Sequence, residues 1–160
     1  MISKVKLKKL ALLIEKSKTS PRKRAPLPLH PYEKEGIRAV LNCIQPESYV
    51  RPHQHPSPYN GSEIWVPIQG RIAAITFDLM GNLKEINYIS KENLNDCAYI
   101  EIKPDTYHTA ISLEPDSIIL EFSRGPYDPK TYKTFATWAP PEEEVESSAQ
   151  YLQKLKDRLL

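Results

Sequence analysis

The sequence predicts a mostly β protein: a small antiparallel β-barrel or sandwich with short helices at its N- and C-terminal ends. Three observations predict it. From Ile37 onward, apolar residues recur with a period of two in segments rich in Ile, Val, Tyr and Thr. Turn signals separate the segments: Gln45-Pro46-Glu47-Ser48, Tyr59-Asn60-Gly61, Gln69-Gly70, Met80-Gly81-Asn82 and Glu114-Pro115-Asp116. No helical pattern lies between them, which argues against alternating strand–helix units.

Taken in order, Val5, Leu10, Leu13 and Ile14 approximate helical spacing. Residues 4–17 therefore read as a short basic helix with Ser3 as its cap. Thr19-Ser20-Pro21 stops it. The stretch from Pro21 to Pro31 holds four prolines, so it must run extended and wrap on something else. Strands are expected at 37–45, 62–69, 71–78, 83–89, 98–103, 106–112 and 117–123, within a sheet system of six to ten strands. Gly125-Pro126-Tyr127 closes the strand region. Pro140-Pro141 opens a final helix, with Glu142, Glu143 and Glu144 at its positive end and Lys154, Lys156 and Arg158 near its negative end. Val145, Ala149, Leu152, Leu155 and Leu159 make an apolar stripe that packs on the barrel or, alternatively, meets a partner helix in a homodimer. The expected division is 1–36 for a basic helix and Pro-rich arm, 37–140 for the barrel and 141–160 for the amphipathic helix.

The 160 residues, 40% hydrophobic and 26% charged, suit one soluble domain with a real core. No apolar run approaches the ~20 residues needed to span a membrane, and Leu10–Ile14 is too short for a secretory core. A cytoplasmic protein without a membrane partner is expected. Cys43 and Cys97 have no metal-ligand or redox spacing and read as buried free thiols. Residues 1–24 hold nine Lys/Arg against Glu15 alone, a charge of +8; the remainder holds 13 Lys/Arg against 19 acids, a charge of −6. The arm is expected to dock on its own acidic body. Without interleaved aromatics or a recognition-helix, RRM or KH signature, nucleic acid is not expected as a partner.

Three of the four histidines fall in one constellation: His53, His55 and His108, accompanied by Glu63. Alternation along a strand points His53 and His55 to one face. Three imidazoles and a carboxylate suit Zn, Fe(II), Mn, Ni or Cu(II). Pro52 and Pro56 stiffen the pair. Glu63 has three readings: metal ligand, partner of a histidine N–H, or general base. His30, in the arm, reads as structural or as a pocket contact. Trp65 shares a strand face with Glu63, and Tyr59 adjoins the ligands; Arg38 and Arg51 are candidates to hold a carboxylate or phosphate. Asn42 shares the Arg38 face, Tyr107 alternates away from His108, and the direction of Glu121, between Leu120 and Phe122, stays open.

The order His53-x-His55, Glu63, Gly70, then His108 after Pro104 resembles the two-motif pattern of the cupin superfamily. The gap from His55 to Glu63 is longer than in that pattern, and Asp105 stands where a glycine is common. A narrower resemblance rests on Ser20-Pro21-Arg22-Lys23-Arg24, Tyr49-Val50-Arg51-Pro52-His53-Gln54-His55-Pro56, Glu63-Ile64-Trp65, Gly70-Arg71, Glu101-Ile102, Tyr107-His108-Thr109, Gly125-Pro126-Tyr127 and Phe135-Ala136-Thr137-Trp138-Ala139-Pro140. These stretches resemble the WbuC-type cupin-fold metalloproteins. The resemblance implies a cupin-like barrel or jelly roll with a divalent transition metal at its mouth, and a polysaccharide-biosynthesis context. Two functional classes remain. One is metal-assisted isomerisation or epimerisation of a small polar or anionic molecule such as a sugar or nucleotide-sugar derivative, with Glu63 moving a proton. The other is metal-dependent binding of a carboxylate or sugar without turnover; an Fe(II) dioxygenase is a third possibility.

Overall fold

The computed structural model describes residues 4–29 and 36–159; the expected cap Ser3 and His30 lie outside the described residues. Within them, ten strands build two five-stranded antiparallel sheets. The first runs β1 (Arg24–Pro28), β2 (Gly36–Ile44), β9 (Ser117–Gly125), β4 (Glu63–Gln69), β7 (Ile100–Ile102). The second runs β10 (Thr134–Phe135), β3 (His53–Gln54), β8 (Tyr107–Ser112), β5 (Arg71–Phe77), β6 (Leu83–Ser90). Helix α1 (Leu7–Thr19) covers the outer face of the first sheet, and α2 (Val145–Lys156) the outer face of the second.

This layering explains why several strands are apolar on both faces. In β5, Ile72 and Ala74 point into the space between the sheets, where they join Ile44, Trp65, Ile89, Ile102, Ala110 and Ile119. Their neighbours Ala73 and Ile75 point outward against Leu152 and Leu155 of α2. In β2, Leu41 and Cys43 face outward to Leu13 of α1, leaving Arg38, Val40, Asn42 and Ile44 for the interior. The buried Ser17 Oγ of α1 is held by the Ile14 carbonyl and by Gln45 Nε2, which also reaches Asp116. Gly70 turns β4 into β5 with φ +70°; a Cβ there would lie 2.4 Å from Ser117 Oγ and 3.0 Å from its Cα. Only glycine fits.

Within the proline-rich stretch, Arg24–Pro28 is extended, as a strand, after a turn over residues 21–23; Pro31 lies outside the described residues. β1 pairs with β2 as an edge strand, the position where Pro26 and Pro28 cost the ladder least. The final helix departs from expectation. It begins at Val145, and Glu142 does not sit on its first turn. Instead Arg24 Nη2 donates to both Glu142 oxygens, at 2.6 and 2.8 Å, Arg22 Nε donates at 2.7 Å, and the Arg51 backbone N–H donates at 3.3 Å. Two guanidiniums outbid a helix terminus for one carboxylate. The apolar stripe is rotated as well. Ser148, Leu152 and Leu155 are buried, while Val145 is 76% exposed and Ala149 lies at the surface. Among the described residues no helix is long and apolar enough to cross a membrane.

Burial pushes the Glu142 carboxyl up, but Arg24 and Arg22 overcome this and hold it below its ordinary range. A depressed folded pKa contributes stability that is present above the unfolded value, about 4.3, and lost as pH falls through the folded one. Glu142→Gln is therefore expected to cost about 2 kcal/mol, or ~4–8 °C in Tm at pH 7. The gap from wild type should close in thermal melts toward pH 3.

Candidate metal centre

The interior has two ends. One is filled by the apolar cluster described above. At the other lies a cavity of about 270 Å³, walled by Arg38, Asn42, Glu63, Trp65 and Glu121 from the first sheet and by His53, Tyr132, Lys133 and Phe135 from the second sheet and its flanking segment. A larger groove of about 650 Å³, between Arg22, Arg24, Glu142 and α2, adjoins it.

Cross-strand register sets the site. His53 on β3 stands opposite His108 on β8, and both point inward. The tight turn before β8 is made by Asp105, whose φ is +60°. Asp is among the few residues that tolerate this backbone, and its carboxylate accepts hydrogen bonds from the Ser57 N–H and Oγ at 3.1 and 2.6 Å. Aspartate thus replaces the expected glycine without strain and ties the turn to the His55 segment. The long spacing from His55 to Glu63 also has a cause: residues 56–62 cross from the second sheet to the first.

The three imidazole ligand atoms lie within 4.8 Å of one another. Each ring is locked by its other nitrogen. His53 Nδ1–H donates to the Arg51 carbonyl at 2.9 Å, His55 Nδ1–H to the Tyr132 carbonyl at 2.6 Å and His108 Nδ1–H to the Thr106 carbonyl at 2.9 Å. In the neutral rings this leaves each Nε2 with a lone pair. Glu63, 4% exposed, places Oε2 3.3 Å from both His55 Nε2 and His108 Nε2. Those two nitrogens are buried and have no hydrogen-bond partner. Facing lone pairs on nitrogen and carboxylate oxygen repel unless a cation lies between them. A tetrahedral or octahedral metal with bonds of about 2.1 Å separates adjacent ligand atoms by about 3.0–3.4 Å. The donor set suits a divalent metal, and the two Glu63–imidazole separations match adjacent ligands of one.

Electrostatics agree. Burial first, then Lys133, holds the His53 ring well below its ordinary pKa, so it stays neutral. Burial works to raise Glu63; only positive charge or N–H presented from the His108 and His55 side holds it below the usual carboxylate range, and with both rings neutral at Nε2 that part falls to a cation between them. Its other oxygen, Oε1, accepts from the Tyr132 hydroxyl at 3.4 Å, and that hydroxyl accepts from Arg38 Nη1, which also reaches Ser123 at 3.3 Å. Tyr132 therefore acts twice: its carbonyl orients His55 and its phenol orients Glu63.

The other sequence candidates divide. Arg38 and Trp65 line the cavity; Trp65 is 3% exposed, edge-on to His108. Arg51 stands at the rim, stacked on Phe135 with Nη2 donating to the Ala136 carbonyl at 2.8 Å. Tyr59 is 65% exposed and not among the cavity residues, because it sits on the crossover loop. Tyr107 faces outward against Trp138, as alternation requires. Glu121 faces inward, in register between Val40 and Trp65. Sequence reasoning missed Tyr132 and Lys133. They follow the last long strand in a segment without periodicity, and nothing local marks them as site residues.

The model of a family described as a domain of unknown function, DUF6016, matches residues 5–89, a stretch that contains His53, His55 and Glu63. No curated protein matches the chain. Among solved structures, KdgF from Halomonas sp. is 19% identical over 70% of this chain and 87% of its own, with a TM-score of 0.52. Protein SO0799 from Shewanella oneidensis is 7% identical over 82% of this chain and 83% of its own, with a TM-score of 0.56. Oxalate oxidase in complex with its substrate analogue glycolate is 12% identical over 88% of this chain and 74% of its own, with a TM-score of 0.53. KdgF and oxalate oxidase are cupin-fold proteins, and at these identities the likeness shows the fold: a cupin-like jelly roll.

Glu121 supplies a test of the cavity's electrostatics. Burial, then the Glu63 charge, pushes its pKa up from the ordinary 4.5 to about 7. The folded state then holds its proton longer than the unfolded chain. This contribution to stability is full below about pH 4.5 and is lost as pH rises through about 7. In metal-free protein, Glu121→Gln is expected to remove that decline. It should be more stable than wild type at pH 8, by on the order of 1–3 kcal/mol, in urea unfolding.

Proposed function

We propose that this chain, which belongs to the DUF6016 family, is a cupin-fold metal-binding protein that holds a divalent transition metal through His53, His55 and His108, with Glu63 as a fourth ligand from beside His55 and His108. We propose further that its cavity takes a small polar or anionic molecule, of which a sugar or nucleotide-sugar derivative is the leading class. The observation that carries the metal reading is the convergence of three carbonyl-locked Nε2 atoms and a carboxylate oxygen on one buried point.

Held by these four residues, an ion that takes six ligands would keep positions for a ligand oxygen. When bound, such an ion supplies Lewis-acid polarisation of a carbonyl or hydroxyl oxygen. The chain's own groups do the rest. Tyr132, itself held by Arg38, donates to the outer oxygen of Glu63, so this carboxylate serves as a fixed ligand rather than a mobile base. Glu121, buried on the cavity wall beside the centre and raised by that burial above the usual carboxylate range, is the group suited to take up and return a proton. Trp65 and Phe135 offer apolar surface to the carbon skeleton. This arrangement supports isomerisation or epimerisation, and the motif likeness to WbuC-type proteins supports a polysaccharide-precursor context.

The test is elemental analysis of untagged protein purified without added metal. About one equivalent of a transition metal is expected. His53→Ala and His108→Ala should be empty yet folded, whereas Tyr132→Phe should keep metal with about 10–100-fold weaker affinity. Metal should also leave as pH falls and protons compete for the imidazoles. Stoichiometric metal in both histidine variants would refute the assignment. Incubation of the loaded protein with sugar phosphates and nucleotide sugars, followed by NMR, separates turnover from binding.

A further inference from the structure

Lys133 is the group at the site without a settled role. Its Nζ lies 3.4 Å from His53 Nε2, and an ammonium can only donate, so this contact uses the lone pair that a metal would take. On the metal reading above, loading the site ends this contact. An ammonium is then left inside the cavity, next to a divalent cation, with Arg38 on the opposite wall. Against these charges stand Glu63 and Glu121. With Glu142 at the rim already matched by Arg22 and Arg24, two positive charges on the metal, one on Lys133 and one on Arg38 exceed the Glu63 and Glu121 carboxylates even when both are ionised. An enclosed surplus of positive charge is costly unless a counter-charge enters. A second donor is ready for it: Trp65 Nε1–H is buried on the cavity wall and has no hydrogen-bond partner.

We propose that the molecule received by this cavity carries a carboxylate, held between the metal's open position, the Lys133 ammonium and the Trp65 indole N–H. This deepens the functional reading and rests on it. The chemistry favours a carboxylate over a phosphate. A lysine binds either anion as a point charge, but phosphate sites add forked guanidiniums, several backbone N–H groups or a helix N-terminus to satisfy the extra charge and oxygens. Here Arg38 Nη1 is engaged by Tyr132 and Ser123, Arg22 and Arg24 are bound to Glu142, Arg51 points its Nη2 at a backbone carbonyl, and both described helices lie outside the sheets. One ammonium, one indole N–H and a small volume of about 270 Å³ match a planar, singly charged group. A neutral polyol would leave the positive surplus uncompensated.

The test is calorimetric titration of the metal-loaded protein with malonate, lactate, inorganic phosphate and xylitol, with metal content measured on every sample. Malonate or lactate should bind, and xylitol and phosphate should bind at least tenfold more weakly. Lys133→Met should weaken carboxylate binding at least tenfold with metal content unchanged, and Lys133→Arg should restore most of it. Trp65→Phe gives an independent loss of about three- to tenfold, which keeps the test open if Lys133→Met does not fold. Wild-type affinity for malonate in Lys133→Met, tighter binding of phosphate or xylitol, or no carboxylate binding by wild type would each overturn the proposal. Failure of the metal reading is seen separately, as wild-type protein that takes up no metal. In that protein, Lys133-dependent malonate binding would still support the carboxylate assignment, and its absence would overturn it.

Discussion

Buried lone pairs that face one another form the constraint on which this structure turns. Three imidazoles are locked at Nδ1 by backbone carbonyls, and an ionised carboxylate is aimed at the same point. Such an arrangement is costly in an apolar interior unless a cation completes it. The locks are main-chain atoms just before β3 and β8 of the second sheet and on the segment after β9, so the geometry is enforced by the fold rather than by side-chain preference. Everything that holds the two sheets in register also holds these four atoms in place.

The layers serve that end. Isoleucines and alanines fill one end of the sandwich, and α1 and α2 seal the two outer faces. The polar groups are gathered at the other end, where the Arg22–Arg24–Glu142 cluster joins the arm to the approach to α2. That join closes the wall between the outer groove and the cavity, since Arg24 and Glu142 line both. The basic arm therefore finds much of its counter-charge in its own chain, also through Lys18 and Asp116 at 3.2 Å.

Much of this was legible in the sequence, for physical reasons. Strands β2, β4, β5, β6, β8 and β9 each carry a period-two pattern long enough to read, and turn residues bound them. His53 and His55 stand two residues apart, and a pattern of period two makes such a pair visible. The illegible parts lack periodicity. β3 and β10 are two residues long and exist only because neighbours pair with them. Glu121 has apolar neighbours on both sides, and only its register opposite Trp65 turns it inward. Tyr132 and Lys133 reach the site by chain reversal after β9, 77 positions from His55 in the case of Tyr132, and no local signal encodes that. Glu142 reads as part of a helix terminus because arginines more than a hundred residues away leave no mark on its own neighbourhood.

Tyr132 has a consequence for motion. One residue outside the long strands supplies both the carbonyl behind His55 and the hydroxyl against Glu63. A metal held by those two ligands therefore grips the segment from 126 to 135 as well, although no atom of it need be a ligand. Part of the free energy of coordination is spent on ordering that segment, and any event that lifts it loosens two ligands at once. Backbone amide exchange around Tyr132 would thus behave as a gauge of occupancy, slow when the centre is filled and faster when it is stripped. The segment and the ion rise and fall together as one thermodynamic unit.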